Sequence, residues 1–248
     1  MPELPEVEEY GRIFARHALG RTVSRVRVLD ERILAVRKTT LVRTLTGRRF
    51  TRVRRHGKHL FAQAGDVWLR LHFGMSGDLT PAVERFARVV FEFEGGGLLA
   101  YDDMRLFGVV DLVRDPDDFI RERGLGPDPL EIDLREFRAR IAGKRGAIKP
   151  LLLSQHLIAG VGNLYADETL FRAGIHPRLG VDALTSAEVK TIFTTLRRVL
   201  ADAIAGRRRG LMVDDREEGA PCPRCGGTIR RETIGGRTTY FCSRHQRR

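Results

Sequence analysis

The hydrophobic positions along the chain change their period twice. Val7, Tyr10, Phe14 and Ala18 recur at i, i+3, i+7 and i+11, one apolar stripe of an α-helix, and predict a helix over residues 5–19. Prolines at positions 2 and 5 suit a chain start and a first helical turn, where a missing N–H costs little. From residue 22 to 101 the pattern turns to alternation: Val23, Val26, Val28; Val67, Leu69, Leu71, Phe73; Val89, Phe91, Phe93. Breaks at Gly47, Gly74-Met75-Ser76-Gly77 and Gly95-Gly96-Gly97 separate these runs and predict antiparallel strands in a sandwich or barrel. After Gly124-Leu125-Gly126-Pro127-Asp128-Pro129, whose composition is that of a linker, helical periodicity returns until about residue 205. A polar arginine and acidic stretch over 207–219 leads into a tail that holds all three cysteines. The expectation is an α+β chain in three parts, a β-rich part over 1–125, a helical part over 126–219 and a metal module over 220–248, with no internal repeat.

Composition narrows the setting. The 248 residues are 42% hydrophobic, enough for one large or two modest domains with their own cores. No run approaches the ~18 apolar residues of a membrane span. The acidic start, Met1 to Glu6, is unlike a secretory leader. Three cysteines within the last 27 residues do not make a paired disulfide framework. A reduced, cytoplasmic setting is expected, with the thiols as metal ligands.

Charge points to the partner. The formal net charge is +12 and is unevenly spread: residues 21–70 carry +11, residues 84–140 carry −5 and residues 206–248 carry +6. Two separated basic blocks form the footprint of a polyanion binder. A generally arginine-rich composition explains why only five of the 44 basic residues are lysines, but not the uneven distribution.

The tail reads Cys222-Pro-Arg-Cys225, sixteen residues, then Cys242-Ser-Arg-His245. Each short pair forms a knuckle that presents two ligands, and three thiolates with one imidazole suit a closed tetrahedral zinc site. A closed site is structural. Between the knuckles, residues 228–233 and 237–241 predict two strands about Gly235-Gly236, a strong hairpin turn signal, with Arg237 just past the tip.

The start Met1-Pro2-Glu3-Leu4-Pro5-Glu6-Val7-Glu8 resembles that of the bacterial formamidopyrimidine-DNA glycosylases. So do Lys149-Pro150-Leu151-Leu152-Leu153, the run from Gly160-Val161-Gly162-Asn163 through Asp167-Glu168, and Gly174-Ile175-His176-Pro177, with the cysteine tail completing the set. The likeness spans nearly the whole chain in the same order. Endonuclease VIII is the sister group, and Leu4, where that group usually has glycine, favours the formamidopyrimidine branch. The resemblance implies an N-terminal two-sheet antiparallel β-sandwich, a helix–two-turn–helix domain and a C-terminal zinc β-hairpin. It also implies a monomeric enzyme of damaged double-stranded DNA, in the cytoplasm with the nucleoid.

What the resemblance implies for chemistry is a nucleophilic N-terminal proline amine. Removal of Met1 ahead of the small Pro2 leaves a secondary amine, and an α-amino group with a pKa of about 8 is partly neutral near pH 7. Glu3 is placed for general acid/base work and Glu6, one turn on, for its support; the bland alternative is an ordinary acidic first turn. Met75 in its glycine turn is a candidate wedge between base pairs. By likeness Arg105 and Phe107 complete it, though Phe107 alone reads equally as core. Lys58 matches a phosphate-holding lysine. Asn163, between two helices, is a phosphate ligand or a plain helix cap. Arg237 is expected to reach phosphate or minor groove. Glu168 matches a pocket acid and reads equally as a surface helix residue.

Three departures qualify the resemblance. His245 stands where the family usually has a fourth zinc cysteine. The segment between the helical part and Cys222, residues 206–220, is short where relatives carry a longer glycine-rich loop over the flipped base, which leaves 8-oxoguanine specificity open. A family histidine is replaced around Phe86-Ala87-Arg88, with Arg88 the candidate substitute at phosphate. Three readings follow: a glycosylase and AP lyase of oxidised or ring-opened bases, the same mechanism on oxidised pyrimidines or other lesions, and a zinc-dependent protein that binds damaged duplex without cutting. The third needs neither the free amine nor the carboxylate beside it.

Overall fold

The computed structural model describes residues 2–207 and 216–247, and the chain divides into two compact units, Met1–Gly124 and Leu125–Arg248. The first opens with α1 (Leu4–His17) and β1 (Val23–Val28), then a 3₁₀ turn at Glu31–Ile33 and α2 (Lys38–Leu45). There follow β2 (Phe50–His56), β3 (His59–Ala64), β4 (Val67–His72), β5 (Gly77–Thr80), β6 (Ala87–Phe93), β7 (Leu98–Asp103), β8 (Val109–Val113) and α3 (Pro116–Glu122). All strand pairs are antiparallel. They make two four-stranded sheets, ordered β1-β6-β7-β5 and β2-β3-β4-β8.

Alternation along β4 decides what each sheet face buries. Leu69 and Leu71, with Phe73 beyond the strand, join Val89, Phe91 and Phe93 of the other sheet in one core, as period-two patterning requires. Val7 and Phe14 of α1 enter the same core. Phe50 is its hub, with ring centroids 4.9 Å from Phe14 and 6.4 Å from both Phe91 and Phe93.

Three parts of the expectation need correction. The span read as uninterrupted strands contains α2. Its Thr and Val residues favour strands, but Leu41 and Leu45, four apart, are both fully buried, so core packing overrides local preference. The first helix starts one residue before the expected 5–19 and ends at His17, with Leu19 exposed. The glycine- and proline-rich stretch at 124–129 is not a free linker. Gly126 N–H donates to the Gln155 carbonyl, Ala159 N–H to the Pro127 carbonyl, and Asp128 is completely buried.

The second unit comprises α4 (Leu134–Ile141), α5 (Ile148–Leu153), α6 (Asn163–Ala173), a 3₁₀ turn at Val181–Ala183, α7 (Ser186–Ile204), β9 (Arg230–Ile234) and β10 (Arg237–Phe241). A Thr185/Glu188 capping box starts α7, and its stripe of Val189, Ile192, Leu196, Val199 and Leu200 is buried. The hairpin turns at Gly235-Gly236 with φ of 57° and 72°, the left-handed pair that a two-residue turn demands. Phe171 of α6 packs with Cys222, Ile229 and Cys242, so the metal module shares a small core with the helices. No helix among the described residues is long and apolar enough to cross a membrane.

Replacing Phe50 with alanine opens a cavity at the hub. The first unit is expected to lose about 3–5 kcal/mol, read by urea unfolding followed through Trp68, the only tryptophan.

Candidate functional site

The chain start is held rather than loose. Glu3 is the N-cap of α1 and is 2% exposed, while the Glu6 carboxylate accepts the Glu3 backbone N–H at 2.9 Å in a capping box. That bond satisfies one of the orphan amides of the first turn. Buried Leu4 and Val7 pin the turn from below. Pro2, half-buried, therefore has its carboxylate neighbour in a defined place. Met1 lies outside the described residues.

The two turns expected to carry wedges behave alike. Met75 is 42% exposed and Phe107 is 55% exposed, which excludes the core reading of Phe107. The Arg105 guanidinium lies over the Phe107 ring at 4.9 Å, an attraction between cation and ring face. Sequence reasoning missed the groups beneath these turns, above all Asp103 and Ser76, which sit 27 positions apart and show no signal of their pairing.

Lys58 follows Gly57 in the turn between β2 and β3. Beside it, on the outer face of that sheet, cross-strand pairing sets His59 against His72 and Phe61 against Arg70. The imidazoles are 4.9 Å apart, and Arg70 holds Asp111 with two bonds of 2.9 and 3.2 Å. Phe119 of α3 covers the cluster, 4.5 Å from the Arg70 guanidinium. Burial pushes His59 down to about 2, with the His72 and Arg70 charges adding to it. Burial likewise pushes His72 down to about 4, helped by Arg70 and Lys58. Both rings are neutral at pH 7.

Arg88, the expected phosphate contact, has partners within the sandwich. Its Nε donates to the Asp103 carbonyl at 2.8 Å and its guanidinium pairs with Asp30 at 3.5 Å. Its charge is thus engaged within the sandwich.

In the second unit, Asn163 is the first residue of α6, and its amide donates to the Thr238 carbonyl of the hairpin at 2.8 Å. Lys149 Nζ donates to the same carbonyl at 3.0 Å and to Thr239 Oγ1 at 2.7 Å. Lys149 and Asp167 form a buried ion pair at 2.6 Å, and Asp167 also accepts from Arg216 at 3.0 Å and from the Tyr240 N–H at 3.2 Å. Burial pushes the Asp167 carboxyl up, and both cations pull against it. This network fastens the hairpin to α5 and α6 and leaves Arg237 exposed at its tip. Glu168 is not a surface residue: it is 1% exposed and paired with Arg172. A cleft of about 390 Å³ lined by Arg138, Lys144, Arg145 and Asp182 gathers none of the expected residues.

The sulfurs of Cys222, Cys225 and Cys242 all lie within 4.8 Å of one another. Three converging thiols, two of them buried, fit a tetrahedral zinc ion. Burial pushes the Cys222 thiol up to about 11, a cost that a bound dication overrides by taking the thiolate. The cluster itself comprises the three cysteines, and His245 lies outside it. Its Nε2 lies 2.8 Å from the Phe171 carbonyl. A carbonyl only accepts, so this contact needs a proton on Nε2 and leaves Nδ1 as the nitrogen a metal would take.

This architecture defines a class in which a β-sandwich precedes a helix–two-turn–helix domain and a zinc finger. Residues 1–110 match the formamidopyrimidine-DNA glycosylase N-terminal domain, 125–214 the formamidopyrimidine-DNA glycosylase H2TH domain, and 219–244 the zinc finger found in FPG and IleRS. The chain belongs to the formamidopyrimidine-DNA glycosylase family. It is 37% identical over 272 residues to the formamidopyrimidine-DNA glycosylase of Symbiobacterium thermophilum, across 99% of this chain and 89% of that one. Identity to the Methylococcus capsulatus protein of that name is also 37%, over 276 residues and all of both chains. The Lactococcus lactis formamidopyrimidine-DNA glycosylase non-covalently bound to AP-site DNA superimposes with a TM-score of 0.91 at 29% identity, covering 99% of this chain and 100% of that one.

Two outcomes test this geometry. The depressed His59 and His72 mean that the unfolded chain binds more protons below pH 6.5. The stabilisation is therefore complete above that value and is lost as pH falls toward 4, at about 1.4 kcal/mol per pH unit for each ring. Trp68-monitored unfolding at pH 5 and 7.5 should show that slope, and His59→Phe should flatten it. Asp167→Asn leaves Lys149 buried without its counter-charge. Calorimetry should show a loss of about 3–5 kcal/mol, while the Trp68 transition of the first unit stays in place.

Proposed function

We propose that the protein excises oxidised or ring-opened bases from duplex DNA and cleaves the abasic product, with the Pro2 amine as nucleophile. The carrying observation is the capped start of α1, where Glu3 is buried and held by Glu6 beside Pro2. With Met1 removed, the Pro2 nitrogen bonds to deoxyribose C1′, the glycosidic bond breaks, and the base leaves with the electron pair and gains a proton. Glu3 protonates the ring oxygen as the sugar opens to an iminium. That cation acidifies C2′; loss of its proton expels the 3′ phosphate, a second elimination expels the 5′ phosphate, and water releases Pro2. The iminium needs no redox partner.

A base within a duplex is out of reach, so Met75, Arg105 and Phe107 fill the gap that flipping leaves. Lys58, Asn163 and Arg237 contact the phosphates, in modules over 1–125, 126–219 and 220–248. Glu168, buried beside Arg172, acts behind that surface. A structural zinc held by Cys222, Cys225, Cys242 and Nδ1 of His245 fixes the hairpin and supplies no step of the reaction. The protein works as a monomer in the cytoplasm, with the nucleoid.

A second reading keeps this chemistry and shifts the substrate toward oxidised pyrimidines. It is favoured by alignments of 272 and 276 positions against a 248-residue chain, which give the relatives inserted positions. The short segment at 206–220 is the expected place, and residues 208–215 lie outside those described.

Borohydride should trap a covalent protein–DNA adduct on abasic duplex. Protein that keeps Met1, in which the Pro2 nitrogen is a non-nucleophilic amide, should form no adduct at Pro2, and Glu3→Gln should slow base excision by roughly 100- to 10,000-fold. Tight binding with no adduct from protein of confirmed Met1 removal would identify a non-catalytic binder. Excision of 8-oxoguanine, formamidopyrimidine and thymine glycol, compared side by side, separates the two substrate readings.

A further inference from the structure

The turns that carry Met75 and Phe107 are remote in sequence, yet their main chains touch. A Cβ added at Gly74 would sit 2.3 Å from the Phe107 carbonyl carbon, and one added at Gly108 would sit 2.8 Å from the His72 oxygen. Between them lies Asp103, at the end of β7 and completely buried. One carboxylate oxygen accepts Ser76 Oγ–H at 2.6 Å and the Arg105 N–H at 3.1 Å; the other accepts the Gly108 N–H at 2.7 Å. The Asp103 carbonyl accepts from Arg88, and its own N–H donates to the Phe86 carbonyl at 3.0 Å. Ser76 Oγ also accepts the Arg105 N–H at 3.1 Å, so carboxylate and hydroxyl tie the two turns together. We infer that Asp103 is a positioning residue, which locks the two turns into one rigid blade so that Met75, Arg105 and Phe107 enter the duplex together.

Three features converge on this role. Leu106 has φ of 57° and is the sole non-glycine residue with positive φ among those described, a conformation that persists only where its surroundings over-determine it. The Asp103 bonds to Arg105 and Gly108 bracket it on both sides. Leu106 itself packs on the sandwich core, which turns its neighbours Arg105 and Phe107 outward. Further, Tyr10 of α1 donates its hydroxyl to the Gly77 carbonyl at 3.1 Å and packs tilted against Phe73, ring centroids 4.3 Å apart. The blade is thereby joined to the helix that Glu3 caps. The physical need is plain: a mobile wedge spends ordering entropy on every insertion, whereas a preorganised one has already met that cost in folding.

The inference rests on the proposed glycosylase and lyase reading, and a pair of substrates tells the two apart. Abasic duplex requires the gap to be opened and filled, whereas a single-stranded abasic oligonucleotide presents C1′ with no partner strand to displace. In Asp103→Asn, an NH₂ replaces one acceptor oxygen and faces backbone N–H groups. Lesion flipping, followed by 2-aminopurine fluorescence beside the damaged base, should slow by about 10- to 100-fold, as should duplex trapping. Trapping on the single strand should stay within about threefold of the parent protein. Ser76→Ala removes the two bonds of a half-buried hydroxyl, to Asp103 and from the Arg105 N–H, but leaves the carboxylate; it should show the same split with smaller size, so a poorly folding Asp103 variant does not stop the test. An equal loss on both substrates, or no loss on duplex from a variant with parental melting, overturns the positioning role. If the parent protein itself traps neither substrate, the functional reading fails instead.

Discussion

Everything proposed for this protein depends on how firmly α1 is anchored in the sandwich. A chain terminus is ordinarily the least ordered part of a domain. Here Leu4, Val7 and Phe14 are completely buried, and Phe14 meets Phe50 edge-on at the centre of the core. Burial of three such side chains stabilises the docked helix by several kcal/mol, at roughly 1.5–3 kcal/mol each. That is ample to hold one additional turn in place. The result is a defined position for a small amine and the carboxylate one residue away, which a flexible tail would not hold.

Polar groups do the remaining positioning, and both units use the same device. In the first, the Asp103 carboxylate collects donors from two turns. In the second, Lys149 and Asp167 collect Thr238, Thr239, Tyr240 and Arg216. A buried charge is costly unless each of its bonds is made, so such clusters tolerate few arrangements. Apolar packing alone leaves more latitude, because contacts between aliphatic groups carry little direction. Groups that must present side chains outward at fixed spacing are therefore tied by directional bonds.

Charge reaches the same surfaces by subtraction as well as addition. The net charge of +12 sets a long-range attraction for a polyanion, but local chemistry depends on which cations remain unspent. Arg70 is committed to Asp111 and Arg88 to Asp30. Burial keeps His59 and His72 neutral. Arg237 stays exposed. The basic block at residues 21–70 is thus partly framework.

The sequence by itself determined the elements whose signal is local. Helical spacing marked α1, alternation marked β4 and β6, Gly235-Gly236 marked the hairpin, and paired cysteine knuckles marked the three converging thiols. Short motifs also singled out Pro2, Glu3 and Lys58 for the proposed chemistry, on residue type and order alone. Only the tertiary structure decided the rest. It made 38–45 a helix because Leu41 and Leu45 face a core that strands far along the chain complete. It engaged Arg88 inside the sandwich, turned Phe107 outward and joined Ser76 to Asp103 across 27 positions. These outcomes depend on which groups meet after folding, and hydrogen bonds and burial between distant segments leave no periodic trace in the chain.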